Sequence, residues 1–320
     1  MHNGMLRDEK YIHRLIETLY EQYGIAADSV TPANRGYYGE TWKVCADTGL
    51  YFLKMDYFPF HQEKFRQSLS VIEYLCENGI DFVGRVIKTR ENALYSNFDG
   101  AIIGLFEWVE CENIETDDTK TAEYQMLCKI YRLTKPGLEI PSASFSDAAA
   151  IRFYEQWEGL KKAPRTASNR AVLAVFERFT DEFSHCASRL SQIAGYCRGE
   201  IDDFYLTHGD AGGNFFIGNG KNYILDWDEA MYAPIERDAW VMGCYDWARK
   251  LFNDTLKANH IPYRLREERL AFYCYHMYFY YLVEFLMAHP ICDKSQQSAE
   301  YLKTDGWIKS RIQFADTVCR

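Results

Sequence analysis

Several absences narrow this sequence before any motif is read. Its ten cysteines are scattered from Cys45 to Cys319, with no Cys-x-x-Cys and no cysteine–histidine cluster at zinc spacing. A zinc module or a disulfide framework is therefore excluded as the organising principle, and reduced thiols in the cytoplasm are the expectation. No segment is strongly basic, and the formal net charge is −10. A nucleic-acid partner, whose phosphates call for clustered Lys and Arg, is not expected. Met1 to Lys10 is polar and lacks the apolar core of a signal peptide. No apolar run reaches membrane-spanning length, and the most apolar stretch, Leu270 to Met287, is interrupted by His276, Glu284 and tyrosine hydroxyls. That stretch is expected as a buried helix, with no membrane partner. The chain shows neither an internal repeat nor a low-complexity segment.

What is present describes an ordinary soluble protein with two compositional halves. Hydrophobic residues make up 48% and charged residues 26% of 320 residues, enough chain for two lobes with separate cores. An amphipathic helix is expected from Asp8 to Tyr23, stopped by Gly24. Short β-type runs follow at Ser29-Val30, Glu40 to Cys45 and Tyr51 to Met55, with a turn at Asp47-Thr48-Gly49. A helix from His61 to Glu77 precedes strands at Gly84 to Thr89 and Ala101 to Glu107, around an Asn97-Phe98-Asp99-Gly100 turn. Beyond Trp108 the pattern is helical: Thr119 to Thr134, Ala149 to Leu160, Ser168 to Ala194 and again from Arg237. Only the stretch from 206 to 228 reads as β in this half.

That stretch carries the densest chemical signal. Thr207-His208-Gly209-Asp210-Ala211-Gly212-Gly213-Asn214 is followed by Ile224-Leu225-Asp226-Trp227-Asp228. Singly, a His-Gly-Asp turn or an Asp after an apolar run is ordinary turn or cap chemistry. Together, in this order, they form the set that phosphoryl transfer from a nucleotide requires. One carboxylate orients the attacking hydroxyl, while an amide and a second carboxylate hold Mg²⁺ against the phosphates.

The ordered motifs resemble the catalytic core of the aminoglycoside phosphotransferase and choline kinase superfamily, relatives of the protein kinases. The resemblance implies an α+β, bilobal protein-kinase-like fold. Residues 1–107 would form a small antiparallel β-sheet lobe for the nucleotide, and residues 108–320 a larger, mainly helical lobe for catalysis and the acceptor. It implies Asp210 as catalytic base, Asn214 and Asp226 as Mg²⁺ ligands, and Lys54 as the grip on the α/β-phosphates of ATP or GTP. Gly36 and Gly39 fall where a loop covers the phosphates, and Glu107 and Trp108 at the hinge that reads the base through backbone groups. His208 is expected as a loop scaffold, Asp228 as a helper at the metal or a turn cap, and Asp238 as a structural anchor. The acceptor would be a hydroxyl of a small polar substrate, aminoglycoside-, aminocyclitol- or choline-like; a cationic one suits the negative charge.

Two departures stand out. Relatives usually pair the strand lysine with a helix carboxylate, but that register carries Ser68, leaving Glu63 and Glu73 as substitutes. The Asp210-to-Asn214 spacing is one position shorter than usual. Both motivate an alternative reading as a non-catalytic pseudokinase or spore-coat-like scaffold. A protein kinase fits less well, since no activation segment of the usual length separates Asp226 from Pro234-Ile235-Glu236.

Overall fold

The structure, a computed structural model, describes residues 7–33, 39–114, 116–198, 203–290 and 293–319. It divides into two compact units, Met1–Pro141 with Leu206–Tyr232, and Ser142–Tyr205 with Ala233–Arg320.

In the first unit, helix α1 (Glu9–Thr18) starts where the Asp8 side chain accepts the Tyr11 N–H at 2.8 Å. It continues as a π-helical turn, Leu19–Tyr23, and stops at Gly24 with φ 75°. Strands β1 (Ala27–Pro32), β2 (Gly39–Ala46) and β3 (Gly49–Asp56) lead to α2 (Pro59–Glu77). Then come β4 (Val86–Ile87), β5 (Ser96–Phe98), β6 (Ala101–Glu107), β7 (Glu112–Asn113) and α3 (Lys120–Tyr131). The main sheet is antiparallel in the order β1-β2-β3-β6-β4, with β5 also paired to β6. Leu53, Met55, Val44, Ile103 and Leu105 meet Leu15 of α1 and Leu19 of the π-helical turn in one core. The opposite face carries α2. A Cβ on Gly104 would stand only 2.9 Å from Phe65 Cζ, so glycine in β6 is what lets this helix close on the sheet.

The chain re-enters this unit near β8 (Tyr205–Thr207), forms the hairpin β9 (Phe215–Gly218) and β10 (Lys221–Ile224), and leaves near β11 (Met231–Ala233). The hairpin turns at Asn219 (φ 51°) and Gly220 (φ 73°), the left-handed pair that a tight hairpin demands. β7 pairs with β9, and the Ile224 N–H donates to the Phe82 carbonyl at 2.9 Å. These bonds tie the hairpin into the same compact body as the sheet, and α3 belongs to that body too. Compactness therefore cuts the chain along different lines from the expected lobes.

The second unit is built from α4 (Ala148–Lys162), α5 (Ala167–Glu177), α6 (Thr180–Cys197), α7 (Glu236–Gly243), α8 (Asp246–Ala258), α9 (Glu267–Ala288), α10 (Ser295–Leu302) and α11 (Trp307–Val318). The aromatic-rich α9 runs through its centre, against α4, α6, α7 and α11. Phe153 joins Trp157, Phe176, Phe183 and Phe279 with ring centroids 4.8–5.6 Å apart, offset and edge contacts that suit aromatic quadrupoles. Among the described residues no helix is long and apolar enough to cross a membrane.

Two expected elements are corrected. Ser168 to Ala194 is two helices, broken at Arg178–Phe179, where Phe179 leaves helical geometry (φ −114°, ψ 15°). The break lets Phe176 and Phe183 both reach Phe153. The turn expected at Asn97–Gly100 is confined to Asp99–Gly100, because Asn97 and Phe98 pair with Ile102 and Ala101 and Phe98 enters the core.

Candidate active site

Side chains alternate along β3, so with Leu53 and Met55 in the α1 core, Lys54 projects to the α2 face. Its ammonium lies 2.7 Å from Asp226 Oδ1 and 2.6 Å from Asp228 Oδ2. Trp227 between the two aspartates is buried, and its indole N–H donates to the Ile224 carbonyl at 3.0 Å. Asp226 holds φ 62°, a left-handed conformation costing about 1–2 kcal/mol for a residue with a Cβ, though Asp and Asn adopt it most readily. Its side chain is 52% exposed and that of Asp228 only 11%. Desolvation disfavours the charged form of all three groups, and neighbours then decide the outcome. Lys54 ends with its pKa raised, since two carboxylates outweigh desolvation. Desolvation pushes Asp226 up, but the charge and hydrogen bond of Lys54 bring it below the ordinary value. Asp228 is pushed up by desolvation, aided by the charge of Asp226, and Lys54 does not fully offset this.

The loop before the hairpin is organised around His208, which is fully buried. Its Nδ1 accepts the Asp210 N–H at 3.2 Å and its Nε2 lies 3.0 Å from the Leu225 carbonyl. One nitrogen accepts and the other faces an acceptor, so the ring is neutral with its proton on Nε2. It also packs edge-on against Trp227, centroids 4.6 Å apart. His208 thus ties the Asp210 loop to the Asp226 segment, and the Leu225 N–H adds a bond to the Asn214 carbonyl at 3.1 Å.

Gly212–Asn214 forms a single 3₁₀ turn. The Asn214 amide nitrogen donates to both the carbonyl and Oδ2 of Asp210, each at 3.0 Å. A Cβ at Gly213 would fall 3.1 Å from Asp210 Oδ1, so the shortened loop closes around a position without a side chain. Asn113 of β7 pins the turn by donating to the carbonyls of Gly213 and Phe215 at 2.9 and 3.2 Å. With its nitrogen spent on Asp210, Asn214 presents its amide oxygen. That oxygen and the Asp226 carboxylate are hard oxygen donors of the kind that could hold Mg²⁺. Such a set needs no larger cluster, and among the described residues no group of three or more His, Cys, Asp or Glu is placed to hold a metal.

The remaining expected positions are dispersed. Gly36 lies outside the described residues. Gly39 pairs with Asp56, and a Cβ there would sit 1.6 Å from the Met55 carbonyl oxygen. The backbone N–H groups of Glu107 and Trp108 donate to Arg85 and Leu50 at 3.0 and 3.2 Å. The Trp108 indole donates to Glu110 at 2.8 Å, with the Lys43 ammonium 4.4 Å from its ring centroid. Asp238 is buried in the second unit, on the first turn of α7.

Neither helix glutamate proposed from sequence meets Lys54. Glu63 bonds Arg66 at 3.0 Å and Glu73 pairs with Lys88 at 2.5 Å. Helix α2 instead offers Ser68, whose hydroxyl lies 3.1 Å from Asp228 Oδ1 and 2.8 Å from the Phe65 carbonyl, sharing its proton between them. The sequence signal for this was the spacing of His61, Lys64 and Ser68, which falls on one helix face.

A strand lysine bridged to the two aspartates after a hairpin, beside an Asp–Asn pair on a glycine-rich loop, belongs to a phosphotransferase of protein-kinase-like fold acting on an alcohol group. The chain belongs to the phosphotransferase enzyme family, whose family model matches residues 29–273. The fold is similar to that of spectinomycin phosphotransferase APH(9)-Ia, solved with ADP and spectinomycin (TM-score 0.77, 18% identity, covering 94% of this chain and 98% of that one). It is also similar to amicoumacin kinase hAmiN, solved with AMP-PNP and Ca²⁺ (TM-score 0.61, 15% identity, 99% and 96% covered). A third likeness is macrolide 2′-phosphotransferase MphH from Brachybacterium faecium (TM-score 0.57, 11% identity, 91% and 98% covered). No match was found among curated proteins.

Proposed function

We propose that the protein binds ATP or GTP with Mg²⁺ and transfers the γ-phosphoryl group to a hydroxyl of a small, polar, cationic substrate of aminoglycoside, aminocyclitol or choline type. One observation carries the reading. Lys54 stands 2.7 Å from Asp226 while Asn214 grips Asp210 at 3.0 Å, and the two loops are bound together through His208 and Leu225. Phosphoryl transfer is mostly positioning and charge neutralisation, and this assembly supplies both.

Asn214 Oδ1 and Asp226 would hold Mg²⁺, which when bound neutralises charge on the β- and γ-phosphates. Lys54 would share its charge with the α/β-phosphates. Asp210 is exposed, with one carboxylate oxygen held by Asn214. It orients the acceptor hydroxyl and takes its proton late in a loose transition state. His208, neutral and locked, keeps the loop in place, and Asp238 serves as a structural anchor. Residues 1–107 act as the nucleotide lobe, with Gly39 beside the phosphates and the backbone near Glu107 and Trp108 at the base, and residues 108–320 as the catalytic lobe. The described cysteines are all free, consistent with a cytoplasmic setting. An aminocyclitol acceptor draws support from the spectinomycin seen in one structural relative.

Calorimetric titration of Mg-ATP and Mg-GTP into the wild type and Asp226→Asn tests the reading. Metal-dependent binding that the variant loses is the expected result. A folded wild type that binds neither nucleotide would replace it with the scaffold alternative.

A further inference from the structure

Helix α2 meets the segment Asp226 to Glu229 with a single face. The Ser68 hydroxyl lies 3.1 Å from Asp228 Oδ1 and 2.8 Å from the Phe65 carbonyl, its one proton shared between them. His61 Nε2 stands 3.8 Å from Asp228 Oδ2, and Lys64 pairs with Glu229 at 2.8 Å. Phe65, between them, has its ring centroid 5.3 Å from the Lys54 ammonium. His61 is itself held from behind. Its Nδ1 lies 2.5 Å from Asp56 Oδ2, and both side chains are at most 2% exposed. The other Asp56 oxygen accepts the Phe58 N–H at 2.8 Å, which fixes the entry into α2. Each oxygen of Asp228 therefore has a contact from this side, Oδ1 from Ser68 and Oδ2 from Lys54, with His61 Nε2 packed behind Oδ2 beyond hydrogen-bond distance.

We propose that Asp228, positioned by Ser68 and by the Asp56–His61 pair, is the counter-ion that orients Lys54 in this protein, in place of the carboxylate that α2 lacks at position 68. The proposal rests on the nucleotide-site reading above. A lysine on a flexible four-carbon stem is a pre-organised phosphate ligand only when a fixed partner holds its ammonium. A glutamate at 68 would bring that partner on the helix. The short serine leaves the place to Asp228 and shares its hydroxyl proton with it, so the helix keeps the positioning role while the segment after the hairpin contributes the charge. Asp228 then serves the lysine, and Asp226 with Asn214 serves the metal. His61 and Ser68 are positioning residues.

Two readouts test this together: the ¹H–¹⁵N resonance of the Lys54 ammonium in nucleotide-free protein, and the split between nucleotide KM and kcat. Ser68→Ala and His61→Gln are expected to weaken or shift the resonance. Both should raise the nucleotide KM about tenfold, as loss of supporting contacts around a phosphate–metal site commonly does, with kcat changed less. Glu63→Ala, whose partner is Arg66, should change neither. Asp228→Asn should abolish the resonance, and adding Ser68→Glu should restore it together with at least about tenfold of the lost nucleotide affinity. Wild-type behaviour of Ser68→Ala and His61→Gln in both readouts would overturn the proposal, as would a folded Asp228→Asn/Ser68→Glu protein showing no recovery. If the wild type binds no nucleotide, the proposed function fails, while the ammonium resonance still decides whether Asp228 is the counter-ion.

Discussion

In the proposed mechanism Asn214 would perform two tasks with the two ends of one amide: its nitrogen steadies Asp210, and its oxygen would face the cation. Replacement by Asp keeps oxygen ligands but sets a second carboxylate against Asp210. Like charges at that distance repel and displace each other's protonation. Asn214→Asp should therefore retain Mg²⁺ dependence yet lose about 10²-fold or more in kcat, within the range general-base catalysis supplies. Asp210→Ala should lose turnover while keeping nucleotide binding. Steady-state rates across a Mg²⁺ titration separate the two effects; a normal kcat in Asn214→Asp would contradict the shared role. A different residue carries a pH prediction. Burial raises the Glu284 carboxyl from 4.5 to about 7, and its Oε2 is buried without a hydrogen-bond partner. The folded state thus holds this proton more tightly than the unfolded chain does. The associated stability is complete below about pH 4.5 and is lost as pH rises through about 7. Glu284→Gln should exceed the wild type in stability at pH 8, by at most about 3 kcal/mol, and converge with it toward pH 4.5. Denaturant melts at the two pH values test this, and an equal difference at both would refute it.

Among the elements, the β2–β3 hairpin most directly controls the lysine. Gly39 approaches the Met55 carbonyl so closely that a Cβ would lie 1.6 Å from it. Gly39→Ala can be housed only by parting β2 from the strand that carries Lys54. Overpacking of this kind costs about 1–3 kcal/mol, and nucleotide affinity should fall with it. A melt combined with calorimetry checks both; unchanged affinity would show that Lys54 is positioned from α2 and the Asp226–Glu229 segment alone. The legible elements were those whose pattern is local. The strands Glu40 to Cys45, Tyr51 to Met55 and Ala101 to Glu107 announced themselves by β-type runs and glycine turns, and each lies within an observed strand. The break between α5 and α6 was not legible, because no Gly or Pro marks it and the helical periodicity runs on across it. β7 spans only Glu112–Asn113, too short for any period to show, and its existence depends on pairing with β9.

At the scale of the whole molecule, the chemistry-bearing residues were readable as an ordered list, but their partnerships were not. Lys54 meets Asp226 across 172 residues of chain, and Ser68 meets Asp228 across 160. No local preference encodes such pairings. The missing helix glutamate therefore read as a defect until the fold supplied Asp228. The fold also sorts the tasks. Lys54, Asp210, Asn214, Asp226 and Asp228 all belong to the first compact unit, whereas the aromatic core around Phe153 belongs to the second. Phe153→Ala should cost about 3–5 kcal/mol, the usual loss for deleting a buried ring, and lower the thermal midpoint by roughly 10 °C. Measured well below that midpoint, Mg-nucleotide affinity should stay within about twofold of wild type, since none of the lost contacts touches a phosphate or metal ligand. Differential scanning fluorimetry gives the first quantity and calorimetry the second. If affinity falls in step with stability, the nucleotide site draws on the second unit as well, and the assignment of its binding energy to the first unit's residues is wrong.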